Sequence, residues 1–159
     1  MNLGSEIIQK WLQDQGLVNG TTWPSKIESF PEDPDNLVAI ITTSAVKQGR
    51  LMEGEVIEKP TFEIQVRCRT FKDGYLKMLA IQQAIDAVHK NEVSIGDDTY
   101  VLHAIKRNSG FAPLGAETTS LKRREWFVLP IQVTLFQSYA PVIIGEDFNQ
   151  EDFNTEDFA

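Results

Sequence analysis

The most regular stretch of the chain is 61–71, where apolar and polar side chains alternate strictly. Phe62, Ile64, Val66 and Cys68 fall on one side, and Glu63, Gln65, Arg67 and Arg69 on the other. A period of two predicts a half-buried β-strand. A second alternating run, 124–139, sets Phe127, Leu129, Ile131, Val133 and Leu135 on one face. Pro130 lies on the opposite register and has no N–H to give, so this strand is expected to be bulged or to sit at a sheet edge. In 37–43 the run Leu37, Val38, Ala39, Ile40, Ile41 is apolar without alternation, which predicts a strand covered on both faces. Further strands are expected at 21–30, irregular because of Pro24, and at 99–106 after a Gly96-Asp97-Asp98 turn.

Two segments have helical spacing instead. In 5–17, Ile7, Ile8, Trp11 and Leu12 share a stripe; Ser5 is placed to cap the helix, Glu6 suits its positive end, and Gly16 is placed to stop it. In 72–90, Met78, Ile81, Ile85 and Val88 are spaced by three, four and three, with Leu76, Leu79, Ala80 and Ala84 widening the stripe. Thr70 followed by Asp73 fits a capping box at its start. Residues 44–60 and 108–122 show little periodicity: the first reads as a long loop or a loose hairpin, the second as an irregular loop. The order helix, strands, helix, strands predicts an α+β fold. Its expected form is a mostly antiparallel sheet with two helices packed on one face, long loops and an acidic C-terminal tail. Residues 1–144 are expected to form a single domain, and 145–159 a tail outside it.

Charge sharpens that division. The net charge is −8, yet the last fourteen residues hold six carboxylates and no base, leaving the body near −2. A nearly neutral body lacks the broad positive field on which nucleic-acid affinity rests. The tail repeats Glu-Asp-Phe three times at a five-residue period, ending in Phe148, Phe153 and Phe158. Five matches neither 3.6 nor 2, so no single face forms. The segment reads either as a solvated acidic tail or as a short linear anchor whose phenylalanines dock into apolar pockets. Met1 to Gln15 has no basic stretch ahead of an apolar run, so no secretory leader is expected. No run approaches the ~18 apolar residues of a membrane span, and a cytosolic origin is expected.

Candidate chemistry is sparse. The chain has one cysteine, Cys68, so neither an internal disulfide nor a cysteine-based zinc site is expected. Cys68 falls on the apolar register of its strand, where a thiol is inert. His89 and His103 are the only histidines and stand at no metal-ligand spacing. Asp97-Asp98 has too few acidic neighbours for a calcium loop. Gly110 and Gly115 have the glycine spacing of a phosphate loop, but Ala116 and Glu117 stand where a lysine and a hydroxyl residue are required. With no nucleophile paired to a base, no catalytic activity, cofactor or metal is expected. The basic run Lys122, Arg123, Arg124 reads as a solvated strand start or as a contact to DNA or an acidic neighbour. Arg67 and Arg69 read as surface charges or as partners for acids on an adjoining subunit.

A family resemblance rests on the strand Lys59-Pro60-Thr61-Phe62-Glu63-Ile64-Gln65-Val66-Arg67-Cys68-Arg69. The strand leads into a helix with Leu76, Leu79, Ala80, Ile81 and Ile85 at its core, and 6–17 and Pro34-Asp35-Asn36-Leu37-Val38 precede it. Across about 5–138 this succession resembles the tail-terminator and minor-capsid proteins of long-tailed bacteriophages. The Glu-Asp-Phe tail and the loop after Ser44 depart from that pattern. The resemblance implies a non-enzymatic ring, usually of six subunits, that caps the tail tube, ends its polymerisation and meets the head. Its implied partners are itself, the tail tube protein and the head–tail connector protein, with DNA only in passage and no membrane. Its implied location is the tail or neck of the virion, after assembly in the host cytoplasm. On that basis Arg50, Arg67, Arg69, Lys122, Arg123 and Arg124 are the candidate subunit or tube contacts. Two alternatives are a connector or stopper of the neck and a non-viral ligand-binding α+β domain.

Overall fold

The computed structural model describes residues 3–44, 47–50, 56–119 and 122–137. They form two helices and nine strands of a curled, mixed sheet. The strand β9 (Lys122–Gln137) is its spine. Along one edge β9 pairs antiparallel with β5 (Thr61–Cys68) and then β4 (Val56–Glu58). Along the other it pairs with β8 (Ala112–Thr119) and then β7 (Asp98–Lys106). β2 (Leu37–Ser44) joins β5, and β3 (Lys47–Arg50) joins β4. β6 (Asn91–Ile95) joins β7, and β1 (Ser25–Ile27) joins β2 in parallel, the one departure from antiparallel pairing among the described strands.

Both helices pack on the face carrying Phe62, Ile64, Val66, Phe127, Leu129 and Ile131, all buried as the alternation predicts. α1 (Gly4–Asp14) buries Ile7, Ile8, Trp11 and Leu12 and touches β1, β2 and β6, so it bridges the two ends of the curl. Its cap differs from expectation. Leu3 is the N-cap, its N–H donating to Glu6 Oε2 at 2.6 Å, while Ser5 is 1% exposed inside the first turn with no hydrogen-bond partner for Oγ. The C-terminal end is as expected. Gly16 has φ +71, its N–H donates to Gln13 O and that of Leu17 to Leu12 O, the paired bonds of a Schellman motif.

α2 (Phe71–Asp86) begins at Thr70, whose Oγ1 accepts from the Asp73 N–H. It ends four residues earlier than the periodicity predicts. Ala87 caps it, and Lys90 at φ +51 turns the chain into β6, which the sequence reading missed. The buried stripe is Gly74, Met78, Ile81 and Ile85. Leu76, expected on the core side, is half exposed. Gly74 brings the helix close to the sheet: a Cβ there would lie 2.2 Å from Cys68 Sγ and 2.6 Å from Phe127 Cε2.

The expected irregular loop at 108–122 contains β8, whose register shifts between Pro113 and Gly115. Pro130 is neither bulged nor at the sheet's edge; it lies in the central strand. Because the Val133 N–H donates to Pro60 O, odd-numbered N–H groups of β9 point to β5. Pro130 therefore turns its N toward the other edge, where β8 pairing stops at Val128 and β7 pairing starts at Gln132. A missing donor costs no ladder bond at that gap.

Candidate assembly surface

On the helix-free face, the β5–β9 register sets Arg67 opposite Trp126 and brings Arg69 and Arg124 beside them. The preceding segment, 28–36, folds back over this end of the sheet and is held there by the arginines. Arg67 is 3% exposed; it donates to the carbonyls of Glu32 at 3.2 Å and Asp35 at 3.4 Å, and to that of Pro34. Its guanidinium also lies 5.5 Å from the Trp126 ring centroid. Arg124 is 4% exposed and donates to Asp35 Oδ1 at 3.0 and 3.2 Å and to Glu32 O at 2.6 Å. The other oxygen, Asp35 Oδ2, meets Arg69 Nε at 3.1 Å. Phe30 closes the cluster, 5.1 Å from Trp126 between ring centroids.

This corrects the readings of Arg67 as a surface charge or a subunit contact and of Arg124 as part of a solvated strand start or a contact to DNA or an acidic neighbour. Both are interior groups, and the acid that Arg69 and Arg124 meet is the chain's own Asp35. Period two assigned the face correctly, but nothing in the alternation announces that 28–36 covers it. Arg69 and Arg123 remain on the surface, with side chains 68% and 70% exposed; Arg123 pairs with Glu125 at 3.1 Å. For Arg50 and Lys122 the backbone alone is described.

The backbone places those two at the ends of two hairpin arms. β2 runs on toward β3, and β4 runs on into β5, so β3 and β4 extend the β2–β5 pair, with Arg50 opposite Val56 at the last described pairing. β8 and β9 form the second arm, which passes β5's last pair, Cys68 with Glu125, and closes at Thr119 opposite Lys122. β5 and β4 run along β9 in order, so the β3–β4 hairpin lies beside the Gln137 end of β9 and the β8–β9 hairpin closes at its Lys122 end. The arm tips, 51–55 and 120–121, lie outside the described residues, as does the Glu-Asp-Phe tail.

Two surface grooves lie among the described residues. One, about 430 Å³, sits at the gap beside Pro130 and is lined by polar groups including Glu63, Lys106, Asn108 and Gln132. The other, about 450 Å³, runs along the outer side of α2 past Trp23, Leu76 and Lys77. Next to α2's start an aromatic ribbon reaches the surface. Phe71 stacks on Tyr75 at 6.1 Å and tilts against Phe127 at 5.0 Å, and Phe111 meets Tyr75 at 5.1 Å.

Burial pushes the Cys68 thiol up to about 11, and its Sγ donates to Thr70 O at 3.0 Å. His89 lies past the end of α2. His103 packs against Phe136 at 5.0 Å. Among the described residues no group of three or more His, Cys, Asp or Glu side chains is placed to hold a metal ion. No described helix is long and apolar enough to cross a membrane. A scan against protein-family models and a search of curated proteins each found no match for the chain.

Proposed function

We propose that the chain is a structural tail protein of a long-tailed bacteriophage, closing as a homo-oligomeric ring on the head-proximal end of the tail tube. The observation that carries this reading is the pair of hairpins at opposite ends of β9, β3–β4 beside Gln137 and β8–β9 closing at Lys122, each with a cation at its last described pairing. A subunit at the tube end must hold the tube on one side and present a surface to the head on the other. Hairpins at opposite ends of one strand serve both contacts. The flanks supply what a ring needs between neighbours. Among the described residues β1, β3, β6 and β8 each pair along one edge, leaving backbone groups for head-to-tail contacts that close when the rotation permits. Arg50, Lys122 and Arg123 are the arm residues proposed to meet acids on the tube or the next subunit, with Arg69 on the helix-free face between the arms. Arg67 and Arg124 contribute by holding 28–36 in place.

The fold alone does not carry this function; the arms and the resemblance of 5–138 to the terminator group do. The test is to mix purified protein with assembled tail tubes and view them by electron microscopy. Rings seated at one end of the tubes support the proposal. Binding to the portal side alone assigns the chain to the neck connector instead.

A further inference from the structure

The groove on the outer side of α2 has apolar walls from Trp23, Leu76 and Ala80 and a cation, Lys77, within it. Lys77 Nζ lies 5.2 Å from the Trp23 ring centroid and donates to the Leu17 carbonyl at 2.9 Å. One acid, Asp73, also lines the groove, and it accepts the Thr70 hydroxyl at 2.6 Å. Burial lowers the Lys77 pKa, the direction expected when a cation loses water without gaining a carboxylate. Lys72 stands one turn before Leu76 on the same side of the helix and is exposed. Leu76 is itself 52% exposed, and Phe71 at 49% and Tyr75 at 43% are further exposed apolar side chains of the same helix. Isolated surface apolar residues need no explanation, but an exposed leucine that lines a groove with an aromatic wall does.

We propose that this groove is the docking site of the chain's own Glu-Asp-Phe segment, 146–158. A phenylalanine ring seats between Trp23 and Leu76, and the carboxylates before it face Lys77 and Lys72. The chemistry is complementary in balance: an aromatic wall for the ring, and two cations against one lining acid, Asp73, for a segment with six carboxylates and no base.

The tether permits it. From Gln137, Phe148, Phe153 and Phe158 are eleven, sixteen and twenty-one residues away, which is at most about 38, 56 and 73 Å of extended chain. The way back along β9 to Glu125 is twelve residues, or about 40 Å of strand. The second and third repeats therefore reach α2 with slack. A short motif of this kind is weak as a free peptide, but a tether of such length holds it near mM effective concentration, and three copies in tandem raise occupancy further. The segment thereby covers an apolar face of the free subunit. The inference is independent of the tail-tube reading.

The test uses the full chain with Gln150→Cys carrying a nitroxide. Cys68, buried and with its thiol pKa raised, stays unlabelled. Docking predicts paramagnetic loss of the amide signals of Trp23 and of 72–80, unchanged on dilution. The loss disappears in the Phe148→Ser, Phe153→Ser, Phe158→Ser variant and in Leu76→Ser, whose exposed position leaves folding intact. The inference is overturned by an absence of broadening, by broadening that survives the phenylalanine substitutions, or by broadening that grows with concentration. The last outcome would put the segment on a second copy.

Discussion

Asp35 is the residue whose removal most directly probes how the helix-free face is organised. Its two oxygens hold Arg124 and Arg69, and its backbone carbonyl accepts from Arg67. Asp35→Ala leaves the Arg124 guanidinium, with its side chain 5% exposed, without a counter-charge. Breaking a buried pair from one side costs about 3–5 kcal/mol. Here Arg124 keeps the Glu32 carbonyl, and Asp35 itself is 16% exposed, so the lower end applies, about 3 kcal/mol. At about 2–4 °C per kcal/mol for a chain of this size, the melting temperature should fall by about 6–12 °C. Arg69→Ala, which removes an exposed partner, should cost about 0–1 kcal/mol. Adding Arg124→Met to Asp35→Ala should recover part of the loss, because the unpaired charge is gone. Circular-dichroism melts and urea titrations of the four proteins measure all of this. An Asp35→Ala cost no larger than that of Arg69→Ala would refute the interior assignment of Arg124.

Ser5→Ala should be neutral or stabilising in urea unfolding, since it deletes a buried hydroxyl without a partner; were Ser5 the cap, the change would cost about 1 kcal/mol. Gly74→Ala should destabilise by about 1–3 kcal/mol through overpacking against Cys68 and Phe127, despite alanine's better helix propensity; an unchanged midpoint would mean that α2 has room to move. The Cys68 pKa is raised on folding from 9.0 to about 11, so its contribution is full below pH 9.0 and is lost as pH rises toward about 11. Wild-type protein should therefore lose more stability than Cys68→Ala across that window, and thiol labelling near neutral pH should track unfolding; fast labelling of the native state would contradict the burial.

Much of the fold was legible where one face of a strand is buried and the other is not. β5 and the core half of β9 follow from period two, and α1 follows from its stripe and Gly16. The misses have physical causes. β8 carries Pro113, Gly115 and a register shift, so its own residues favour a loop; pairing with β9 makes it a strand, and Pro113 is tolerated because β8 pairs on one side only among the described strands. β6 was hidden because the apolar spacing of α2 runs on to Val88, while Ala87 and Lys90 break the helix by backbone geometry that spacing does not encode. The arginines divide in the same way. Alternation put Arg67 and Arg69 on one face, but long-range folding of 28–36 decides that one is interior and the other exposed. The arms were partly foreseen, as a hairpin within 44–60; their placement at opposite ends of β9 depends on pairing partners far apart in sequence.

The ring at the tube end is the central claim, and deleting the gene from a phage that encodes this chain tests it most directly. Lysates examined by electron microscopy should then contain filled heads without tails beside detached tails of abnormal, excessive length, because nothing ends polymerisation of the tube. Detached tails of normal length would contradict termination and favour the connector, and normal infectious particles would contradict any role at the junction of tail and head.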